Sequence, residues 1–491
     1  MNKLTIGVVA AVVVTGAAGA AALPWYLGWR TEHGFAEVLR QTQAGNANSP
    51  LAITLVQYRR GWLSSEVTHR ISMKSDPDAY FTIKHAVRHV PDPGKGFVVI
   101  QSTPVWPQKV QAAADYYFGG KPAFQVQSVV RFDRSLAMTL ESPQFSKPML
   151  AQPAMKLTWG GASGTVTTAD AGKMNLVLDL PRIAVEGGGV TAEFAGMQVR
   201  GDWVTAANQA DWSGRTDLDI REVSIDSPFG NGSVKGIQTS AVQRNQGQTL
   251  MLGYLLKVRE GSGQTVGGEV KSFKNAVLDV EFDRIDRKAL ARYLDDVGGA
   301  DQAQLDAGTY NRLVAQSALR MLGDMLMGSP EVRLKRLAVQ TEQGQVAGTA
   351  VLAFNGKGYT GGANGEPAPA ELMSRLKFNG SAEMSSSLLQ AWMAGDARQQ
   401  ALNALTAQGA TFEEAQLQSL AEEMLHRQLA ALEATGLLKA DGDKFVIDAV
   451  YDGGALTING VRNDAFMPRI PAPHGAPERD DQQAALEAPR G

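Results

Sequence analysis

The sequence predicts an α+β protein: a large, twisted, mostly antiparallel β-sheet with helices packed on it, preceded by one N-terminal transmembrane helix. Three observations lead to this fold class. Over most of residues 51–285, apolar residues alternate with polar ones, as they do in half-buried strands. Glycine-rich and Asn-Gly turns separate these runs and suit tight hairpins. Beyond residue 285 the apolar period lengthens to three and four, which is typical of helices.

The N-terminal prediction rests on residues 4–23, an uncharged apolar run behind Lys3. About 20 helical residues at roughly 1.5 Å each span the roughly 30 Å core of a bilayer. Trp25 and Trp29 follow before the first downstream charge, which is typical of an interfacial aromatic belt. The alanines at 20–22 also suit signal-peptide cleavage, so the alternative is a cleaved leader. We favour the anchor because the run ends at the belt, and both alternatives predict export.

The composition shifts predict five regions along the chain. They are a transmembrane anchor or signal segment at 1–29, a linker at 30–50, a mostly antiparallel β region at 51–285, a mixed helix and strand region at 286–467 that packs on the sheet, and a disordered tail at 468–491. Between residues 80 and 284 we recognise no helical pattern, so the strands there should be joined as sequential hairpins.

The helices are predicted from caps and periodicity. Asp286 should cap a first helix, and apolar residues at helical spacing predict a second over 310–325. Two further helices should form a hairpin on the sheet. Each would begin with a capping box, Ser387 with Gln390 and Thr411 with Glu414.

Charge and composition exclude several classes of function. The 491 residues carry 47 Lys plus Arg and 50 Asp plus Glu, so no basic excess is available to neutralise phosphates, and nucleic acid is not an expected partner. The chain has no cysteine, which removes disulfides and thiolate-bound metals. The common hydrolase, nucleotide-binding and metalloprotease motifs are missing. We therefore predict no catalytic residue, no metal site and no cofactor.

Two segments resemble a known family. The first is Tyr-x-Arg-Gly-aromatic-x-Ser-Ser, at residues 58–65 behind a strand and a hydrophobic N-terminus. The second is a closing hairpin with Tyr-Asp-Gly at 451–453 and Leu-Thr-Ile-Asn-Gly at 456–460. Together they resemble the YdgA-like family of Gram-negative envelope proteins, which have no assigned function. The resemblance implies attachment to the cell inner membrane through the N-terminal helix and a body in the periplasm.

The first of these motifs is the candidate binding site, and its residues are Arg60, Gly61, Trp62, Ser64 and Ser65. The structural interpretation is a bend at the glycine, with a buried indole and serines that hydrogen-bond the open backbone. The functional interpretation is a polar site for an anionic headgroup or a glycan.

His85 and His89 are four residues apart, the spacing of two metal ligands on a helix. However, the surrounding residues are typical of a strand, where positions four apart lie about 13 Å from each other. The sequence therefore favours two exposed strand histidines.

Two function hypotheses follow. One is a non-catalytic binding or scaffold protein that holds lipid or another envelope component on an apolar sheet face left uncovered by helices. The other is an envelope hydrolase whose dispersed site, such as a Ser-His pair, assembles from distant segments with perturbed titration. An exposed sheet edge would also permit homo-oligomers.

Overall fold

A computed structural model describes the chain over residues 51–463, apart from residues 75, 90–95, 134, 170–171, 206–211, 269, 300–306, 361–368 and 408–412. The predicted membrane segment, the linker, Thr411 and the predicted tail lie outside the described residues. Among the helices that are described, none is both long enough and apolar enough to cross a bilayer.

All 22 strands of the described residues belong to one antiparallel sheet. The shorter strands come first: β1 Leu51–Arg60, β2 Ser64–Met73, β3 Tyr80–Arg88, β4 Val98–Val105, β5 Gln125–Val130, β6 Leu136–Ser142, β7 Phe145–Pro148, β8 Lys156–Trp159 and β9 Ala162–Thr168. Six long strands follow: β10 Lys173–Gly187, β11 Val190–Thr205, β12 Trp212–Ser227, β13 Gly230–Gln246, β14 Thr249–Thr265 and β15 Lys271–Asp286. The last are β16 Glu331–Thr341, β17 Gly344–Phe354, β18 Leu376–Ser385, β19 Lys439–Asp441, β20 Lys444–Asp452, β21 Ala455–Ile458 and β22 Val461–Arg462.

Helices occupy six segments of the described chain: α1 Gln108–Phe118, α2 Arg287–Gly299, α3 Ala307–Met327, α4 Pro369–Arg375, α5 Ser386–Ala407 and α6 Glu414–Ala434. Helix α1 packs near β7, α2 and α3 pack on each other and touch β15, and α5 packs on α6 and on β17 and β18. The helices therefore meet the sheet at a few places and do not form a continuous second layer over it.

The strand order is close to the chain order. Nineteen of the 22 strands follow one another in a line, because only β7, β8 and β19 branch from it. At roughly 4.8 Å per strand, this line is about 85 Å long measured along the sheet. Strand β15 pairs with β16, so the sheet continues without a break from the predicted β region into the mixed region.

The predicted helix positions are largely confirmed, with three corrections. Helix α1 interrupts the stretch in which only strands were predicted. The Ser387 hydroxyl donates to the Gln343 carbonyl of the preceding hairpin, so it does not cap α5 as predicted. The capping box of α6 is formed by Glu413 and Gln416. The predicted cap at Asp286 is present, since its Oδ1 accepts from the Ala289 N–H at 2.8 Å.

The buried core is divided into three separate clusters near the two ends of the sheet. Their buried members are Val67, Val87 and Val98 in the first, Leu326, Phe354 and Tyr359 in the second, and Leu389, Leu429 and Phe445 in the third. The second and third clusters lie where α3, α4, α5 and α6 cover the sheet. The long central strands contribute to none of them.

Candidate functional site

One row of directly opposed residues crosses the sheet from β1 to β20. Opposed residues of neighbouring strands share a face, so the row identifies one side of the whole sheet. Its members are Tyr58, Val67, His85, Ser102, Val126, Leu140, Gly164, Leu178, Val199, Leu218, Thr239, Leu256, Leu278, Leu337, Gly348, Ala382 and Ile447. We call this side the apolar face, because eleven of these seventeen residues have aliphatic side chains. The other six are two glycines, Ser102, Thr239, His85 and Tyr58, and the ring of Tyr58 packs with the first cluster.

The apolar face is not covered in the middle of the sheet. Leu178, Leu218 and Leu256 are half-buried by their neighbours in the sheet itself. Tyr254 and Phe282, on the same face, remain 42% and 41% exposed. Since the described helices pack on β7, β15, β17 and β18, the strands from β10 to β14 present an open apolar surface.

The opposite face of the central strands is polar and ion-paired. Glu281 of β15 lies 3.0 Å from Arg333 of β16 and also accepts from Lys335. The hydrogen bond from Lys335 holds the pKa of Glu281 below its ordinary value. In these ion pairs the carboxylate and its basic partners neutralise each other, so none of the paired groups is left as a free acid or base.

A line of left-handed residues crosses this part of the sheet. Gly196, Gly236 and Asn275 have φ of 65°, 64° and 53° and occupy the same register position on β11, β13 and β15. Arg221 and Arg259 lie on the strands between them. A Cβ atom on Gly196 would be 2.9 Å from the Arg221 Cβ, and a Cβ atom on Gly236 would be 2.8 Å from the Arg259 Cβ. Glycine is required there both for the φ angle and for the space.

The apolar alternation changes phase at this line. In β10 the apolar residues are Leu176, Leu178 and Leu180 before it and Ile183 and Val185 beyond it. The pairing register between β10, β11 and β12 is the same before and beyond the line. Neighbouring strands therefore exchange their apolar and polar sides at the same row of the sheet. A left-handed residue interrupts the regular alternation of a strand, which allows this change. The open apolar face described above therefore ends at the line.

The predicted binding residues lie in the turn between β1 and β2. The Gly61 N–H donates to the Ser64 carbonyl at 2.8 Å, which forms the predicted bend. Trp62 is 57% exposed, so the indole does not bury a large face there. Ser64 is exposed and Arg60 ends β1, whereas Ser65 is 2% exposed and faces the interior. The turn does not bring the five side chains together into one pocket.

The two histidines differ from the sequence expectation. His85 does lie in strand β3, but it is half-buried, and His89, which follows the strand, is fully buried. The expectation of two exposed histidines is therefore wrong. Each one contacts a serine instead of solvent: the distance is 2.7 Å from His89 Nε2 to Ser65 Oγ and 2.8 Å from His85 Nδ1 to Ser102 Oγ. Among the described residues, no group of three or more His, Asp or Glu is placed to hold a metal ion.

A third histidine joins this arrangement. His69 Nδ1 lies 3.0 Å from His85 Nε2, which produces a chain from Ser102 through His85 to His69 across β4, β3 and β2. We call these three residues the histidine chain. Sequence reasoning missed it because the partners are 16 and 17 residues apart. The signal that could have found it is one polar residue on the apolar side of each of three neighbouring strands.

Burial controls the ionisation of the histidine chain. Desolvation, assisted by the charge of His69, lowers the pKa of His85 to about 4. Burial also lowers the pKa of His69 and of His89. The imidazoles are therefore neutral near pH 7, and each can donate one hydrogen bond and accept one. A serine next to a neutral imidazole is the arrangement of an activated nucleophile, but a base of so low a pKa removes a proton weakly at pH 7.

The comparisons with known proteins concern the family alone. Neither a curated protein nor a solved structure matches the chain. A family model described as "Bacterial protein of unknown function (DUF945)" matches residues 1–462. The match takes in the apolar N-terminal segment, every described strand and both segments of the sequence resemblance. The protein therefore belongs to this bacterial family of unknown function.

Proposed function

We propose that the protein is a non-catalytic lipid-binding protein of the bacterial envelope, anchored in the inner membrane by residues 4–23 with its body in the periplasm. The observation that supports the binding role is the apolar face, which crosses the sheet and is open over β10 to β14. Soluble proteins rarely leave large contiguous apolar surfaces open unless the surface binds something.

Acyl chains are the occupant that suits the apolar face best. The central rows offer leucine, isoleucine and valine with few polar groups, such as Thr239. A small polar ligand would require several convergent hydrogen-bonding groups in a concave pocket. An acyl chain needs only apolar contact and can follow a surface that extends across many strands. A second envelope protein on this face is the alternative that the experiment below would reveal.

The placement in the envelope has separate support. Residues 4–23 have the length and composition of a membrane span, with an aromatic belt behind them. The family match begins at residue 1, so this segment is part of the family's pattern. The resemblance to the YdgA-like family points to the same location. Intact mass of the purified protein distinguishes an anchor from a cleaved leader, and a reporter fused after residue 491 tests the side of the membrane.

The binding role is tested by purifying the full chain in mild detergent and identifying bound lipid by mass spectrometry. The variant Leu256→Lys places a charge in the middle of the apolar face, and we expect it to lose most of the co-purifying lipid. Lys257→Glu is the matched control, because the next residue of β14 points to the opposite face. Circular dichroism checks that both variants are folded.

Three outcomes separate the alternatives. Lipid that is lost in Leu256→Lys and kept in Lys257→Glu supports the proposal. A protein partner lost in the same pattern would assign the face to protein binding instead. Wild-type protein that purifies without lipid, and gains none from added phospholipid vesicles, would overturn the lipid-binding role.

A second candidate function is ester hydrolysis, and one observation favours it: the histidine chain brings Ser102 Oγ within 2.8 Å of an imidazole on the apolar face itself. A lipid ester held there would lie near a hydroxyl and a base. Against this, Ser102 is only 7% exposed. Incubation with fluorogenic acyl esters tests it, since turnover that disappears in Ser102→Ala and persists in Ser64→Ala would require a hydrolase.

A further inference from the structure

A groove lies between the two helices of the α5–α6 hairpin, toward the end at which α5 begins and α6 ends. Its volume is about 480 Å³, which is in the range of small-molecule sites, roughly 300–1,000 Å³. Three half-buried apolar side chains form part of its wall: Met393, Leu432 and Leu437. Met393 also packs against the third core cluster, so this part of the wall is held in place by the core.

Polar side chains from both helices complete the wall of the groove. Gln428 of α6 donates from its Nε2 to the Oε1 of Gln400 on α5 at 2.9 Å, so the two amides join the helices across the groove. Each amide keeps hydrogen-bonding groups that this bond does not use. Asp396 of α5 lines the same groove. Its carboxylate is the single charged group among the described residues that line the groove.

The Asp396 carboxylate differs from other acidic groups of the hairpin. Glu414 and Glu423 lie 2.7 Å and 2.6 Å from Arg398 and Arg427, so each has a basic partner. The Asp396 side chain makes no hydrogen bond or ion pair with any residue that the structure describes. The groove therefore offers a negative charge to a ligand without first breaking an ion pair.

An indole stands beside this carboxylate. Trp392 is 74% exposed and precedes Asp396 by four residues on α5. Side chains four apart on a helix are neighbours, with Cβ atoms roughly 5–6 Å from each other. A cation within roughly 6 Å of the ring centroid is attracted by the face of an indole. One cation can therefore contact the Trp392 ring and the Asp396 carboxylate together.

The helix surface around Trp392 is bare. The exposed neighbours Ala391, Ala394 and Gly395 have small side chains or none. Gly395 lies inside α5, although glycine is the poorest helix former after proline. Neither a left-handed φ nor crowding requires it, since a Cβ there would meet nothing within 4 Å. The missing side chain leaves the indole accessible from the adjacent turn.

We propose that this groove binds a small organic ammonium ion. The cation would lie between the Trp392 ring and the Asp396 carboxylate, and the rest of the ligand would enter the groove against Met393 and Leu432. An anion would meet the carboxylate and gain nothing from the indole face. The charge of the groove therefore selects for a positively charged ligand. Binding here is independent of lipid on the apolar face, because none of the residues named for the groove belongs to that face.

A charged and an uncharged ligand of the same shape test the proposal. Choline and 3,3-dimethylbutan-1-ol have the same shape, but a positive nitrogen in choline replaces the branched carbon of the alcohol. Their dissociation constants for the full chain in dodecyl maltoside are measured by saturation-transfer nuclear magnetic resonance on the methyl protons. We expect choline to bind about tenfold more tightly, because the indole and the carboxylate both act on its charge.

Three variants locate the site. Asp396→Asn should weaken choline binding about tenfold and leave binding of the alcohol unchanged, since it removes the charge and keeps the shape. Trp392→Leu should also weaken choline binding, because leucine is apolar but has no π face. Glu422→Gln is the matched control: it removes one negative charge from an exposed position of α6 that does not line the groove. Circular dichroism checks that all three are folded.

The results have opposite consequences. Choline binding that is weakened by Asp396→Asn and unchanged by Glu422→Gln supports the ammonium site. Absence of choline binding, equal affinity for choline and the alcohol, or an equal effect of the two charge-removing variants would overturn the proposal.

Discussion

Gly196, Gly236 and Asn275 set the end of the open apolar face. They are left-handed residues in strands whose other residues are extended, and they lie in one row. Glycine adopts a left-handed conformation without steric cost, and asparagine is among the side chains that tolerate it best. An isolated glycine inside a strand pattern predicts a bulge or close backbone approach. That three such residues align could not be predicted, because their alignment depends on the register of five strands.

We predict that Gly236→Ala destabilises the protein more than Gly247→Ala. Both glycines are left-handed, with φ of 64° and 72°, so both variants bear the roughly 1–2 kcal/mol cost of a left-handed non-glycine residue. Only at Gly236 would the new methyl also meet the Arg259 Cβ, at 2.8 Å, whereas nothing lies within 4 Å at Gly247. Urea unfolding of the two variants measures the difference. Equal destabilisation would show that the close contact with the Arg259 Cβ does not lower the free energy of unfolding.

The histidine chain predicts a dependence of stability on pH. The pKa of His85 is lowered from 6.5 to about 4, so between these values the unfolded chain binds a proton that the folded protein does not. The free energy of unfolding should therefore fall as the pH decreases from about 6.5 towards about 4. His69 and His89, whose pKa values burial also lowers, should add to the same trend.

His85→Gln tests this dependence in urea unfolding at pH 7.5, 6 and 5. We expect a shallower loss of stability with falling pH, because the glutamine cannot take up a proton. His426→Gln, on the exposed side of α6, controls for the loss of a histidine. An unchanged slope in His85→Gln would mean that this buried group does not contribute to the pH dependence.

At the scale of elements, local signals predicted most strands and helices. The alternation in β10, β14 and β15 and the cap at Asp286 are visible within a few residues of sequence, and the structure confirms them. Helix α1 was missed because its residues were read within a long series of strands. The caps of α5 and α6 were misassigned for two different reasons. The Ser387 hydroxyl donates to the Gln343 carbonyl and so does not cap α5, and Glu413 occupies the N-cap position of α6.

We predict that the α5–α6 hairpin tolerates no added volume at its buried alanines. Ala401 is fully buried on α5, the helix that packs on α6, whereas Ala394 on the same helix is exposed. Ala401→Leu should destabilise the protein by about 1–3 kcal/mol, because extra methylenes in a packed site force backbone shifts. Ala394→Leu should be nearly neutral. Thermal unfolding of both variants decides, and a neutral Ala401→Leu would indicate that the hairpin packs loosely.

At the scale of the whole molecule, the fold class could be predicted but the candidate site could not. Period-two alternation shows that each strand has an apolar side, as in Leu250 to Val258. Whether seventeen strands place those sides on one face depends on every register between them. Likewise, the contact between His69 and His85 needs the pairing of β2 with β3, which no single segment encodes. The position and openness of the apolar face are therefore properties of the assembled sheet.

The separation of the core clusters has a consequence for unfolding. Val87 belongs to the cluster at the β1 to β5 end, and Leu429 to the cluster under the helical hairpin at the other end. In between, each long strand contacts chiefly its neighbours in the sheet. Elongated structures that are stabilised by nearest-neighbour contacts lose cooperativity between distant parts. The two ends should therefore open independently.

Hydrogen–deuterium exchange with peptide resolution tests this independence through two reciprocal variants. Leu429→Ala should cost its end about 2–5 kcal/mol through lost burial and a cavity, and speed exchange in β17, β18 and β20. Exchange in β1 to β4 should stay at the wild-type rate. Val87→Ala should do the opposite, so each variant is the control for the other. If either variant accelerates exchange at both ends, the sheet unfolds as one cooperative unit. The open central strands would then couple the stability of one end to that of the other.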